Sequence, residues 1–498
     1  MSGRRDEFYR QRRDKVARLR ERGIDPYPPR YHRTHSAAEA LEAFRAWEEA
    51  GAAAPAPEVR VAGRITAMRD MGGAAFMDLR DGSSKLQAYL KRDTLGEQAY
   101  EGLRELDLGD FLGVGGGLFR TRTGEVTVEV REHVLLAKAL LPPPEKWHGL
   151  ADVETRYRQR YLDLMANQGA RELFVVRSRV MQAIRRFMEG RGFLEVETPI
   201  LLPHAGGAAA RPFVTRYESL DHDFYLRIAT ELHLKRLIVG GFDRVYEIGR
   251  VFRNEGLSTR HNPEFTLLES YEAYADYNDV ASMVEDLVSQ VAQEILGTTR
   301  VPNPAKAGGE LELSAPWRRL TVADGIRQYA ELDLEELWTE PALRAAVEKK
   351  GIEAQPGASW GKLVDELLSA CVEPRLIEPT FLMDYPAALS PLAKRKPDDP
   401  RFVERFEPFI GGLELGNAYT ELNDPLDQRE RLREQARLRA AGDEEAELPD
   451  EDFLRALEYG MPPTGGLGLG LDRLVMVLTG QRSIRQVILF PQLKTRGQ

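Results

Sequence analysis

Five apolar stretches between residues 59 and 140 constrain the fold more than any other feature of this chain: VRVAGRITAM, AAFMDLRD, KLQAYLKR, DFLGVGGGLFRT and EVTVEVREHVLL. Their content of β-branched and aromatic residues, with apolar and polar positions alternating, is that of half-buried strands. Asp81-Gly82 marks a hairpin turn between the second and third strands. One helical stretch, TLGEQAYEGLREL, separates the third from the fourth. Five strands with a helix after the third is the order of an OB-fold, a small barrel that often binds oligonucleotides.

The chain has 498 residues, too many for one hydrophobic core, so further domains are expected. Residues 1–58 read as a basic N-terminal helix, RRDEFYRQRRDKVARLRER ended by Gly23, followed by the linker GAAAPAPE. Residues 1–35 hold eleven Lys/Arg against five Asp/Glu, a local net charge of +6 on a chain whose total is −10. Such a helix is either a solvated charged rod or an arm that contacts RNA, since polyanion binding depends on local charge. Residues 59–140 are the barrel, 141–150 (LPPPEKWHGL) a second linker, and 151–498 a mixed helix-and-strand domain with a helical insertion at about 300–370. In 172–189, Leu173, Val176, Val180, Ile184 and Phe187 recur at helical spacing, and FLEVETPILL follows as a strand whose Pro199 implies an edge or a bulge.

Cys371 is the only cysteine, which excludes an intrachain disulfide, and no Cys/His cluster points to zinc. The N-terminus MSGRRDEFYR has no apolar signal segment, and no uncharged apolar run reaches spanning length, so a cytoplasmic protein without membrane contact is expected.

Three clusters carry chemistry. In GRVFRNEGLSTRHNPEFTLLESYEAY (249–274), Phe265, Leu267, Glu269 and Tyr271 are spaced by two and project from one strand face. A buried carboxylate there needs a partner, which a bound cation would supply. Arg253, Glu255, Arg260 and His261 crowd the preceding turn, where arginines can grip phosphates through forked hydrogen bonds; the plainer alternative is a solvated hairpin tip. In RFEPFIGGLELGNAYTELND (405–424), Asn417, Tyr419 and Glu421 share a strand face among apolar neighbours. Glu407 and Glu414 flank Gly411-Gly412 and converge if that pair turns, as hard oxygen ligands for magnesium carrying phosphates, or else as surface glutamates. In GGLGLGLDRLVMVLTG (465–480), alternating glycines strip one strand face of side chains, so that a flat base can lie on the backbone. Neither G-x-G-x-x-G nor G-x-x-x-x-G-K-[ST] occurs, so any use of ATP needs another architecture.

In this order, the helix ending in FLEVETPIL, FRNEG with RHNPEFT, and GLGLGLDR resemble the signature motifs of class II aminoacyl-tRNA synthetases. YRQRYLDL (157–164), GGAAARPF (206–213), YLRIATELHLKRL (225–237), EAYADY (272–277) and GNAYTELND resemble the bacterial lysyl-tRNA synthetase family in particular. The match spans nearly the whole chain and is loose only over 300–370. It departs at Thr230, where the family commonly has proline, and at Tyr419-Thr420, where it often has Phe-Ser.

The resemblance implies an α+β multidomain fold: an N-terminal OB-fold barrel that binds the anticodon, and a class II catalytic domain with an antiparallel sheet and flanking helices. It implies an ATP-dependent ligase that forms an aminoacyl-adenylate and loads tRNA-Lys with L-lysine. It also implies ATP as substrate, up to three Mg2+ ions, and a homodimer built on helix 172–189. No side-chain nucleophile is needed; Arg253 and Arg473 are the catalytic groups. Arg253 contacts the α-phosphate and the lysine carboxylate. Glu255 and Asn262 approach the nucleotide, Phe265 stacks on one adenine face and Arg473 covers the other, beside Gly470. Arg260, His261 and Arg473 reach the terminal phosphates, and Glu407 and Glu414 hold the metal. Glu231 and Glu269 meet the α-amino group of lysine and Gly207 offers backbone close to the amino acid; Tyr271 and Glu421 meet the ε-ammonium, with Asn417 and Tyr419 lining the pocket. On the barrel, Arg69, Phe76, Gln87 and Glu125 match anticodon-contacting positions, core packing being the alternative for Phe76.

A pocket for aspartate would need deep cationic groups, whereas this strand face offers Glu421 and Tyr271. Two rivals remain: a non-catalytic tRNA-binding paralogue, which would be free to lose the arginines and metal carboxylates, and a ligase that lysylates a protein.

Overall fold

The computed structural model describes residues 2–144, 150, 152–204, 206–303, 308–354, 357–440 and 449–494. Half of the 141–150 linker and parts of the 300–370 insertion lie outside these. The chain divides into two compact units, Met1–Ala151 and Asp152–Gln498.

In the first unit, β1 (Glu58–Asp70), β2 (Ala74–Arg80), β3 (Lys85–Lys91), β4 (Phe111–Arg120) and β5 (Val126–Ala137) close into a barrel of order β1-β2-β3-β5-β4. Asp81 shapes the β2–β3 turn by accepting from the backbone N–H groups of Ser83 and Ser84 at 2.7 and 2.9 Å. Strand alternation sends Ala75, Met77 and Leu79 into the barrel core and leaves Phe76 outside it.

The N-terminal helix, α1 (Ser2–Glu21), is neither a free rod nor a free arm. Val16 and Leu19 are buried. Arg12 donates to the carbonyls of Ala139, Leu141 and Leu108, while Lys15 pairs with Asp107 and Arg18 with Glu105. Part of its basic charge is therefore spent in docking on the barrel, while Arg5, Arg10, Arg13 and Arg20 are exposed. A further helix, α2 (Ala37–Glu49), was not legible in the segment read as helix and linker; Ser36 and Glu39 form its capping box.

The second unit is organised by a nine-stranded sheet. Its strands are β6 (Leu194–Glu195), β7 (Arg244–Phe252), β8 (Glu264–Ala273), β9 (Arg318–Thr321), β10 (Thr380–Pro386), β11 (Phe402–Ile410), β12 (Leu413–Glu414), β13 (Gly416–Thr420) and β14 (Thr464–Gly470). They run in the order β9-β10-β11-β13-β14-β8-β7-β6, with β12 paired to β11. All neighbours are antiparallel except the outermost pairs, β9–β10 and β7–β6. Helices α3 (Gln168–Gly190), α5 (Tyr277–Leu296) and α6 (Leu471–Thr479) pack through Val180, Ile184, Val284, Leu287 and Leu474 into the core that covers one sheet face. Asp276 starts α5 by accepting from the N–H groups of Asn278 and Asp279, and Gly297 ends it at φ 73°. Helix α4 (Glu231–Val239) packs on β8 and β7.

Two expectations fail locally. FLEVETPILL is not one strand: Leu194–Glu195 pairs with β7, and Leu201–Leu202 joins a separate three-stranded sheet with His222–Leu226 and Val214–Tyr217. Pro199, lacking an N–H, lies in the irregular stretch between them. The insertion is not helical from its start either, since Arg300–Pro302, Glu310–Glu312 and Arg318–Thr321 are strands; its longer helices are Glu340–Lys349 and Trp360–Leu367.

Candidate active site

The open face of the sheet carries a cavity of about 470 Å3. Its floor is the glycine strand. In β14, Gly466 sits in register with Tyr271 of β8 on one side and Tyr419 of β13 on the other; Gly468 is likewise flanked by Glu269 and Asn417, and Gly470 faces Leu267. The two alternating faces read from sequence thus become one surface, because β8 and β13 both pair with the strand that has no side chains between them. Gly466 is glycine for want of space: a Cβ there would stand 1.9 Å from a carboxylate oxygen of Glu421. Leu467 and Leu469 point the other way, into the helix-covered core.

One end of the cavity is acidic and closed. Glu231, Glu269, Tyr271 and Glu421 are all buried there. The Thr230 N–H donates to Glu269 at 3.1 Å, and the Tyr271 hydroxyl donates to its other oxygen at 3.4 Å. Burial first, then the charge of Glu231, pushes the Glu269 carboxyl up to about 7. Burial likewise raises Glu421, opposed by the ammonium of Lys235, which forms an ion pair with it. This corrects the expectation of apolar neighbours: Lys235 backs Glu421 and also donates to Glu231 at 2.5 Å. Gly207, buried at φ 86°, brings backbone to the same end.

The other end mixes both charges. Glu407 and Glu414 line it on either side of the turn at Gly411 and Gly412, whose φ values are 64° and 72°. Arg405 donates to Glu407 at 2.5 Å and to Asn417 at 3.0 Å, and Tyr385 donates to Glu407 at 2.7 Å. Arg473 donates to the carbonyl and the carboxylate of Glu414 at 2.8 and 3.0 Å. Burial, with repulsion from Glu414, raises Glu407 despite the Arg405 guanidinium. Among the described residues no three His, Cys, Asp or Glu side chains are grouped to hold a metal alone.

The β7–β8 loop contributes Arg253, Glu255, Arg260, His261 and Asn262 to the wall, with Phe265 at the base of β8. The Arg253 guanidinium lies 5.2 Å from the Phe265 ring centroid. The Asn262 amide donates to the Glu264 carbonyl at 2.6 Å and accepts from the Gln492 N–H at 3.2 Å. The structure therefore brings every residue expected at the reaction site to one cavity. Sequence reasoning missed Lys235, Tyr385 and Arg405, and missed the insertion, whose Ser359 and Gly361 also line the wall. Arg405 stands two residues before Glu407 on the same strand face, a signal that was available.

On the barrel, Arg69 pairs in register with Phe76, which pairs with Tyr89. The Phe76 and Tyr89 rings are 4.7 Å apart, and Phe119 meets Tyr89 edge-on at 6.0 Å. Gln87 donates to Glu125 at 3.3 Å and accepts from Thr127 at 2.9 Å. The four expected positions thus share the outer face of β1, β2, β3 and the β4–β5 turn with an aromatic strip that is not core.

An OB barrel and an antiparallel sheet with a glycine floor, an arginine-bearing loop and a carboxylate-lined cavity are the parts of a class II synthetase. Residues 152–494 match the family described as tRNA synthetases class II (D, K and N), and residues 59–136 match the OB-fold nucleic acid binding domain. The chain is 56% identical to the lysine–tRNA ligase of Dehalococcoides mccartyi over 98% of this chain and 97% of that one. It is 54% identical to that of Moorella thermoacetica, covering 98% of each, and 49% identical to that of Bacillus subtilis, covering 97% of each. The chain belongs to the lysine–tRNA ligase family.

Proposed function

We propose that the chain activates L-lysine with ATP and transfers it to the 3′ end of tRNA-Lys. The observation that carries the amino-acid choice is the acidic end of the cavity, where Glu231, Glu269 and Glu421 are buried together beside Tyr271. Three buried carboxylates with one internal ammonium suit a substrate bearing two ammonium groups, and repel aspartate.

The lysine carboxylate oxygen attacks the α-phosphorus of ATP; the bond to the bridging oxygen breaks and pyrophosphate leaves. The terminal ribose hydroxyl of the tRNA then attacks the adenylate carbonyl and AMP leaves. Both steps are carried by positioning and charge rather than by a covalent intermediate on the chain. Arg253 holds the α-phosphate and the substrate carboxylate, and Arg260, His261 and Arg473 meet the distal phosphates. Phe265 and Arg473 sandwich the adenine over Gly470, with Glu255 at its edge and Asn262 fixing the loop. Glu231 and Glu269 take the α-ammonium near Gly207; Glu421 and Tyr271 take the ε-ammonium, with Asn417 and Tyr419 as walls.

Glu407 and Glu414 fit magnesium, because both line the cavity and their mutual repulsion is relieved by a cation whose remaining ligands are substrate phosphates. Bound there, as one of up to three ions, magnesium would neutralise phosphate charge. On the barrel, Arg69, Phe76, Gln87 and Glu125 receive the anticodon, Phe76 stacking a base.

Among the described residues no helix is long and apolar enough to cross a membrane; the reaction itself places the chain where tRNA is charged, in the cytoplasm. A homodimer is supported by exposed apolar side chains on α3 and the segment after it, Val175, Leu194, Ile200 and Leu201. Light scattering that returned the mass of one chain, 56.2 kDa, would refute the dimer. The function is tested by charging unfractionated tRNA with each radiolabelled amino acid. Lysine alone should be esterified; no charging, or charging with aspartate or asparagine, would overturn it.

A further inference from the structure

Lys235 is fully buried in α4, and it does not reach the cavity wall. It lies behind two residues that do. Its ammonium donates to Glu231, one helical turn earlier, at 2.5 Å, and is paired with Glu421 just beyond β13. The ring centroids of Tyr271 and Phe453 lie 6.0 and 5.9 Å from it. The titratable groups facing this cluster are Glu231 on α4, Glu269 and Tyr271 on β8, and Tyr419 and Glu421 along β13. Neither oxygen of Glu421 accepts an aligned hydrogen bond among the described residues, so the ion pair is what opposes its burial.

We propose that Lys235 is a specificity-determining positioning residue, whose buried ammonium clamps Glu231 and Glu421 from behind and leaves the pocket the two negative charges that a substrate with two ammonium groups requires. The inference rests on the reading of the cavity as a lysine site. A fully buried lysine is costly unless paired, and without it the crowded carboxylates would drive Glu421 toward the neutral acid. A neutral acid attracts an ammonium weakly. Burial already lifts Glu421, and Lys235 is the first influence that holds it down. Removing that charge lifts Glu421 further, so its ionised form is reached only at higher pH.

The experiment is lysine-dependent ATP–pyrophosphate exchange from pH 6.5 to 9 on the full chain, for wild type, Lys235→Met and Lys235→Gln, with thermal unfolding of each. Lys235→Gln keeps donors beside both carboxylates and so guards against a variant that merely fails to fold. Wild-type exchange with lysine, measured first, secures the underlying reading; exchange that instead requires another amino acid overturns that reading before any variant is needed. At pH 7 both variants should lose tenfold or more in kcat/KM for lysine while the ATP KM stays within threefold. The acidic limb of the kcat/KM profile should move up by one pH unit or more, so that activity partly returns at pH 9. An equal loss at every pH with the limb unmoved would make Lys235 a packing residue and overturn the proposal, as would an unchanged lysine kcat/KM.

Discussion

A Cβ added to Gly466 would stand 1.9 Å from Oε1 of Glu421, so the carboxylate at the closed end of the cavity occupies space that only glycine leaves open. Gly466→Ala must displace the Glu421 carboxylate by more than an ångström, and Tyr271, at 2.7 Å, by a few tenths. Misplacement on that scale costs about a hundredfold in rate. The expected result is a loss of about that size in kcat/KM for lysine, with tRNA affinity by filter binding unchanged. An active Gly466→Ala enzyme would contradict this packing.

Thr230 gives Glu269 a backbone N–H that a proline could not. That bond favours the ionised carboxylate, so Thr230→Pro should raise a group already held at about 7. The sign follows: with a higher value, less of Glu269 is ionised at neutral pH, and the α-ammonium is held less well. Lysine kcat/KM should fall between pH 6 and 8 and recover above, with the acidic limb displaced upward. A profile displaced downward, or not at all, would mean that the N–H does not set the charge of Glu269.

Phe76 lies outside the barrel core, 4.7 Å from Tyr89. Stacking one base on such a ring is worth roughly 1–3 kcal/mol. Phe76→Ala should therefore lower kcat/KM for tRNA by about tenfold or more and leave lysine-dependent pyrophosphate exchange unaltered. If both activities fell together, Phe76 would be acting through stability.

The faces of the site were legible because strand alternation is local: Phe265, Glu269 and Tyr271, and separately Asn417, Tyr419 and Glu421, follow from spacing alone. Their meeting was not, since β8 and β13 join only through β14, a pairing no local pattern encodes. Lys235 reads as an ordinary helix lysine in ELHLKRL until β13 brings Glu421 onto it. Arg405 was open to reading beside Glu407 on its own strand, but its partners Leu389, Ser390 and Asn417 come from other segments. Charge patterning misled in α1, where Arg12, Lys15 and Arg18 serve docking rather than solvent. The five barrel strands were read within a few residues, because each is a short apolar run bounded by turn residues; FLEVETPILL failed where Pro199 interrupts it.

Pyrophosphate exchange without tRNA, run for each amino acid on wild type and Glu421→Gln, tests the central claim most directly. Lysine alone should support exchange by the wild type. Glu421→Gln keeps the shape and removes the charge, and loss of one buried charge-assisted contact costs roughly 2–5 kcal/mol. The lysine KM should rise about a hundredfold, with the ATP KM within a few-fold. Exchange driven by another amino acid, or an unchanged lysine KM with a raised ATP KM in the variant, would contradict the assignment of this pocket to lysine.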